Sequence, residues 1–408
     1  MSETWRVLAA LILGLAAGTF ADGHPSFERV IALIEPLGTL WVNGIRMTVI
    51  PLVVGLLTSG VLSSGDASRV GRLGARAVPI FIALLIGGGL FAVLLAPILL
   101  SSLAIDPATA ESLRAGAASS GAAAAIQKLP SMTQRIVEMV PANPIKAAVD
   151  GAMLPLIVFT VAFALAATKL APDRRERIAT MSQAIADASL VLVKWVLLVA
   201  PVGIFALGAG LGLRMGASAA GAVGQYVLTL CLVLLGYTLL LYPLAAIAAR
   251  VSIPRLAAAA LPAQMVAVSS RSSLAALPAN ITAARDRLGL PAEATGFVLP
   301  LAVSIFRPNV PIAWVTGVLF LGKLYGVELD TTALLTLVAT ATAMSFGVPG
   351  LPSASLLLLA PVLVSMGLPA EGVGVLIAVD VVPDMLKTTA NVTSHLVATT
   401  LVARTSGT

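Results

Sequence analysis

Apolar runs of membrane length divide the chain, and short polar gaps separate them. A span needs about 20 apolar residues. Six runs come close to or exceed that length: 4–21, 40–61, 78–103, 148–170, 188–211 and 222–249. Between the third and fourth lies 104–146, an Ala/Ser/Gly-rich stretch with scattered charges that predicts an extracytoplasmic loop with short helical pieces.

After residue 255 the pattern changes. The run 253–284 is interrupted by Ser269-Ser270-Arg271-Ser272-Ser273 and Pro278, and the run 331–368 by residues 345–353, rich in Gly and Pro. Each half is about 12–15 residues, too short to cross alone. Both therefore read as re-entrant hairpins with tips at mid-membrane depth, where irregular backbone survives only if protein or a water-filled cavity covers it. A long span follows each hairpin, 294–325 and 373–402. The two hairpin-plus-helix units start from opposite sides, which points to an inverted-repeat transporter with its site at the repeat interface.

Charges orient this framework. Arg69, Arg72 and Arg76 follow the second span, Lys169, Arg174, Arg175 and Arg177 the fourth, and Arg250 and Arg255 the sixth; Arg285 and Arg287 precede Leu290. The opposite gaps carry Asp22 and Glu28, or Glu328 and Asp330. The positive-inside rule then places the even gaps and the N-terminus in the cytoplasm. Only Arg6 precedes the core of the first run, with no clear small-residue cleavage site, so that run reads as a retained span rather than a signal peptide.

Composition narrows the class. Of 408 residues 58% are hydrophobic and 11% charged, with a mean hydropathy of +1.01. Soluble domains run at roughly 45–50% apolar and about 25% charged, so the chain is an integral membrane protein and not a cytosolic enzyme. One cysteine, Cys231, makes no intramolecular disulfide or Cys cluster, and two histidines, His24 and His395, build no His-rich metal site. The net charge of +6 sits mostly in the gaps, which suits an anionic leaflet and not nucleic acid. There is no Walker loop, and no catalytic carboxylate pair or nucleophile–base set.

An ionisable residue inside a span costs at least about 2.5–3.5 kcal/mol on insertion scales. Here they gather in the last third: Arg271 at the first hairpin tip, Arg307 in the seventh span, and Asp380, Asp384, Lys387 and His395 in the eighth. Asp380, Asp384, Lys387, Asn391 and His395 recur every three or four residues, one face of a helix, with Thr388 beside them. That stripe suits a cavity. The plainer alternative is a buried ion pair, such as Asp384 with Lys387. Likewise Ser269–Ser273 can simply cap the first hairpin and 347–352 form a turn, although tips that expose backbone N–H groups also receive carboxylates. Asn391-Val392-Thr393 is a glycosylation acceptor in form only, being inside a span. Gly208 and Gly210 suit close helix packing, and Trp195 and Trp314 packing or interface positions.

These pieces resemble the glutamate/aspartate:cation symporter family, also called dicarboxylate/amino acid:cation symporters, over nearly the whole chain. The resemblance rests on Ile45-Arg46-Met47 with Ile50-Pro51-Leu52-Val53, on Pro141-Ala142-Asn143-Pro144, and on Ala200-Pro201-Val202-Gly203-Ile204-Phe205-Ala206. More specific are Ser270 to Pro278, Gly347 to Pro352, and Asp380 to Thr393. It implies an all-α protein of eight transmembrane helices plus two re-entrant hairpins, an inverted-repeat, elevator-type homotrimer. Scaffold helices one and two would lie in 1–72, transport-domain helix three in 73–104, a loop with scaffold helices four and five in 105–215, and the transport-domain core in 216–408. Hairpin two would be the gate. The implied substrate is an acidic amino acid or dicarboxylate, with no prosthetic cofactor, a sodium ion or proton as coupling ion, membrane lipids as surroundings, and the plasma (inner) membrane as location.

Substrate roles carry over by position. Asp384 matches the carboxylate for the α-amino group, and Asn391 the amide for the α-carboxylate, helped by backbone near Arg271, Ser272, Ser273, Gly350 and Leu351. Thr388 matches a hydroxyl contact. Lys387 stands where acidic-amino-acid transporters place an arginine; lysine keeps the charge but loses the bidentate fork.

The cation machinery departs from the family. Its Asn-Met-Asp-Gly-Thr turn is replaced by Phe306-Arg307-Pro308-Asn309-Val310, and the aspartate one turn after the last-helix asparagine is replaced by His395. Sodium prefers hard oxygen ligands, so at most a residual cation site remains, at the backbone of Ser345, Phe346 and Val348. Arg307 is then expected to act as a built-in cation, or else to pair with Asp380 or Asp384. His395 is a candidate proton carrier, and Asn309 and Asp380 complete the coupling candidates. Two other classes stay open: an anion-conducting channel and a transport-inactive substrate sensor.

Overall fold

The computed structural model describes residues 3–21, 23–63, 67–103, 105, 107, 110, 111, 113, 114, 137–215, 222–346, 348 and 354–405. Among them all regular structure is helical. The helices run α1 (Glu3–Ala21), α2 (Pro25–Ser63), α3 (Ala67–Leu99), α4 (Pro144–Val149), α5 (Met153–Ala167), α6 (Pro172–Leu198), α7 (Ala200–Met215) and α8 (Ala222–Ala248). Then follow α9 (Ile253–Ser270), α10 (Ser273–Asp286), α11 (Ala292–Ile305), α12 (Asn309–Tyr325), α13 (Thr331–Ser345), α14 (Ala354–Ser365), α15 (Gly372–Ala378) and α16 (Val381–Thr405).

Four stretches of described helix are long and apolar enough to cross a bilayer, and the α6–α7 pair, bent by 61°, can make a fifth. The rest of the framework is made of short or broken helices. Residues 148–170, expected as one span, divide at Gly151, whose φ of +65° suits glycine alone at low cost. The helix after it, α5, has 15 residues, or about 22 Å, short of a hydrocarbon core of about 30 Å. The Asn143-Pro144 pair starts α4: the Asn143 Oδ1 accepts from the Ile145 and Lys146 N–H groups at 2.9 and 3.1 Å, and proline suits the first turn. Conversely, 25–39, expected as a loop, is helical and continuous with the second span.

Two groups of packed helices follow from the contacts. In the first, α1 packs on α7, and α2 on α5, α6 and α7. Gly18 makes this tight: a Cβ there would fall 2.0 Å from the Ala209 carbonyl oxygen. In the second, α16 packs against α3, α8, α9, α10, α11 and α12. Its residues from Ala390 to Thr400 are buried on every side, so its polar groups face protein and not lipid.

Three interruptions give that second group its irregular centre. The α9–α10 hairpin turns at Arg271, in the left-handed region at φ 51°, and Ser272 caps α10 by accepting from Ala275 N–H at 3.2 Å. The α11–α12 helix breaks at Phe306-Arg307-Pro308, where proline supplies no N–H and its ring excludes the preceding turn. Helix α16 is cut from α15 at Val379-Asp380, so the span expected over 373–402 is two helices. The second hairpin is α13 and α14; its expected tip residues Gly347 and 349–353 lie outside the described residues.

Candidate functional site

Hydrogen bonds run from the α11–α12 break to hairpin two and to α16, and a ring contact runs to α3. Phe306 turns its ring onto Phe81 of α3, stacked at 4.5 Å between centroids, and is fully buried. Its carbonyl lies 2.7 Å from His395 Nε2. A carbonyl only accepts, so the imidazole proton is on Nε2 and Nδ1 is a bare acceptor; Nδ1 is buried without a partner. Asn309, first residue of α12, donates its N–H to Asn391 Oδ1 at 3.0 Å. That bond fixes the amide: its oxygen is spent on α12, which leaves the Nδ2 group as the end that can donate to an anion.

Arg307 holds hairpin two. Its Nε donates to the Val348 carbonyl at 3.2 Å and its Nη2 to Val303 at 3.4 Å. Ser345 Oγ accepts from the Arg307 N–H at 3.3 Å and donates to the Arg307 carbonyl at 3.1 Å. The guanidinium therefore grips carbonyl oxygens of α11 and of hairpin two. Part of the expected residual cation site, Ser345 and Val348, is bonded to Arg307; Phe346 lies between them at the end of α13.

The face of α16 carries the carboxylates. Asp380 immediately precedes the helix and pairs with Lys387 two turns on, both nearly sealed at 3% and 1% exposure. The buried pair is thus Asp380 with Lys387, not Asp384 with Lys387. Removing either partner would strand a buried charge, at about 3–5 kcal/mol. Asp384 is 8% exposed and its Oδ2 has no partner. A carboxylate oxygen left bare at that depth is a place for an incoming cationic group. Thr388 donates its hydroxyl to the Asp384 carbonyl at 2.7 Å, which leaves only acceptor capacity to a ligand.

At hairpin one the serines mostly serve the turn. Ser269 and Ser270 donate back to Met265 and Val266 carbonyls, at 2.8 and 2.6 Å, and Ser272 is the cap already described. Ser273 is buried in the first turn of α10. Arg271 is exposed and in the left-handed region, which costs a side-chain-bearing residue roughly 1–2 kcal/mol. It lies within electrostatic reach of Asp384, as do Lys387, Arg307 and Asp380. The expected site residues Gly350 and Leu351 lie outside the described residues.

Several polar partners were not visible in the sequence. Trp314, read there as a packing or interface residue, is fully buried and donates its indole N–H to the Ser355 carbonyl of hairpin two at 3.0 Å. Asn280 of hairpin one donates to the Val392 carbonyl at 3.0 Å, and Gln264 to Thr393 Oγ1 at 2.8 Å. Buried polar side chains inside apolar runs are the only sequence signal for the last two. Among the described residues no three His, Cys, Asp or Glu side chains gather as a metal cluster.

Apolar helices of membrane length define a multi-pass membrane protein, and its family and relatives are transporters, not enzymes. The model of the sodium:dicarboxylate symporter family matches residues 4–405, and the chain belongs to that family. It is 27% identical over 405 residues to the proton/glutamate-aspartate symporter of Escherichia coli K12, covering 99% of this chain and 92% of that one. A proton/sodium-glutamate symport protein of Bacillus subtilis is 27% identical over 402 residues, covering 98% and 92%. The neutral amino acid transporter B(0) of Oryctolagus cuniculus is 30% identical over 423 residues, covering 95% and 76%.

Proposed function

We propose that the chain is a secondary transporter that carries an acidic amino acid such as aspartate or glutamate, or a related dicarboxylate, across the plasma (inner) membrane by alternating access, without sodium in the family manner. The observation that carries this reading is the Arg307 guanidinium bonded to the Val348 carbonyl, where a residual cation was expected. A fixed cation takes over electrostatic work that a bound ion would otherwise do.

The substrate roles fit the free valences of the site. Asp384, with Oδ2 unpartnered, takes the α-ammonium group. Asn391, its oxygen committed to Asn309, offers its Nδ2 to the α-carboxylate. Arg271 and the N-terminal turn of α10 at Ser272 and Ser273 supply the remaining positive field, with Lys387 held behind them by Asp380. Relatives named for glutamate, aspartate and neutral amino acids support an amino acid as cargo. The same reading includes eight spans with two re-entrant hairpins, a cytoplasmic N-terminus, a homotrimer, and an elevator movement of the α16-centred group past the group of α1, α2, α5, α6 and α7.

Uptake of labelled L-aspartate into proteoliposomes, with sodium or choline outside, tests it. Equal uptake in both salts is the expected result; uptake in sodium alone would sink the role given to Arg307. Arg307→Met should insert normally and lose at least tenfold in uptake.

A further inference from the structure

The charges of the site can be counted. Four charged groups lie within electrostatic reach of Asp384: Asp380, Lys387, Arg271 and Arg307. His395 donates from Nε2, and its Nδ1 is buried with no acceptor for a second proton, so it enters the count as neutral. With Asp384 itself the count is three cations against two carboxylates, one net positive charge. The other charged residues from 222 to 405 lie at helix ends or in the gaps between helices: Arg250 and Arg255 before and at the start of α9, Arg285, Asp286, Arg287 and Glu293 where hairpin one returns, Lys323, Glu328, Asp330 and Glu371 around the start of hairpin two and of α15, and Arg404 in the last turn of α16.

A site moving through a bilayer carries its uncompensated charge against a steep solvation cost. From this, resting on the reading above, we infer that the substrate itself is the neutralising ion. One amino acid of net charge −1 brings the loaded site to zero, and no sodium ion or proton travels with it. A zwitterionic amino acid leaves the site at +1, and a dicarboxylate without an ammonium group overshoots to −1 while facing Asp384 with no counter-charge. The acidic amino acid is the class that closes the count.

Two consequences separate this mechanism from symport. The loaded site is neutral, so exchange of substrate for substrate moves no charge across the field. The empty site returns with +1, so net transport is electrogenic and follows the membrane potential. Each charge crossing 100 mV is worth about 2.3 kcal/mol, so 60 mV shifts the distribution about tenfold. In a compartment held negative inside, the carrier releases acidic amino acids instead of gathering them.

The test uses the full chain in proteoliposomes with labelled L-aspartate and potassium diffusion potentials set by valinomycin. Counterflow against internal unlabelled aspartate, without sodium and at equal pH, first establishes transport. Expected next is about tenfold accumulation per 60 mV inside positive, expulsion at the opposite sign, and counterflow that ignores the potential. Arg271→Asn lowers the count by one and suits the left-handed turn. In this variant the potential should govern counterflow, because the loaded site now moves as −1; a merely structural role for Arg271 would change rates and not this dependence. Counterflow together with accumulation driven by sodium or a pH gradient, and indifferent to potential, would overturn the charge count alone. Counterflow with neutral amino acids and none with aspartate would overturn the substrate class. Absence of any aspartate counterflow would remove the transport reading and this inference with it.

Discussion

The two hairpins solve one problem in opposite ways. Hairpin one closes its own tip, while its arms are tied to α16 through Asn280 and Gln264: its own serines return hydrogen bonds to the turn before, Ser272 caps the next helix, and Arg271 bears the left-handed turn. Hairpin two is held from outside. Arg307 grips its first arm at Val348 and Ser345, and Trp314 grips its second arm at Ser355, all from the α11–α12 unit. A self-capped turn keeps its shape wherever it moves, whereas a turn held by a neighbour depends on that neighbour's side chains.

Hydrogen exchange and stability measurements can break or sharpen that contrast. The largest effect is expected from Arg307→Met. Hydrogen bonds to a charged group are worth about 1.5–3 kcal/mol each, so amide exchange in α13 and α14 should accelerate on the order of tenfold or more. Equal acceleration in α9 and α10 would show that the hairpins are not independently fastened. Trp314→Phe keeps an aromatic ring but removes the N–H with the rest of the indole, which leaves the Ser355 carbonyl unpaired at a cost of about 1–3 kcal/mol. Its effect should be confined to α14, seen as faster exchange there with α13 unchanged. Smallest is Ser272→Ala, which removes a cap worth about 1 kcal/mol. Thermal unfolding in detergent should fall by a few degrees, with faster exchange at the start of α10 only.

The same contrast explains what could be read from the sequence. The turn of hairpin one was legible because its chemistry is local: hydroxyls, an arginine and a helix start within five residues. The break at Phe306-Arg307-Pro308 lies inside 294–325, which reads in the sequence as one long span. The break at Val379-Asp380 was hidden as well, because Asp380 sits one position before α16 and keeps the three-to-four spacing of the polar stripe intact. That spacing suggested Asp384 as the partner of Lys387; only the bend lets Asp380 reach it. Gly151 was lost within an apolar run, and 25–39 was read as a loop because its polar residues masked a helix that continues into the membrane. The hydrogen-bond partners of Trp314 and Asn280 could not be read, since they are 41 and 112 residues away.

The buried Asp380–Lys387 pair has a consequence for how the protein is made. As an isolated segment leaving the translocon, α16 with its preceding aspartate presents Asp380, Asp384 and Lys387 to lipid, each about 2.5–3.5 kcal/mol unfavourable near a helix centre. Every helix it packs against precedes it in the chain. Synthesis therefore delivers the most polar span only after α3 and α8–α12 are available to receive it. Biogenesis of this helix is an act of docking into existing protein.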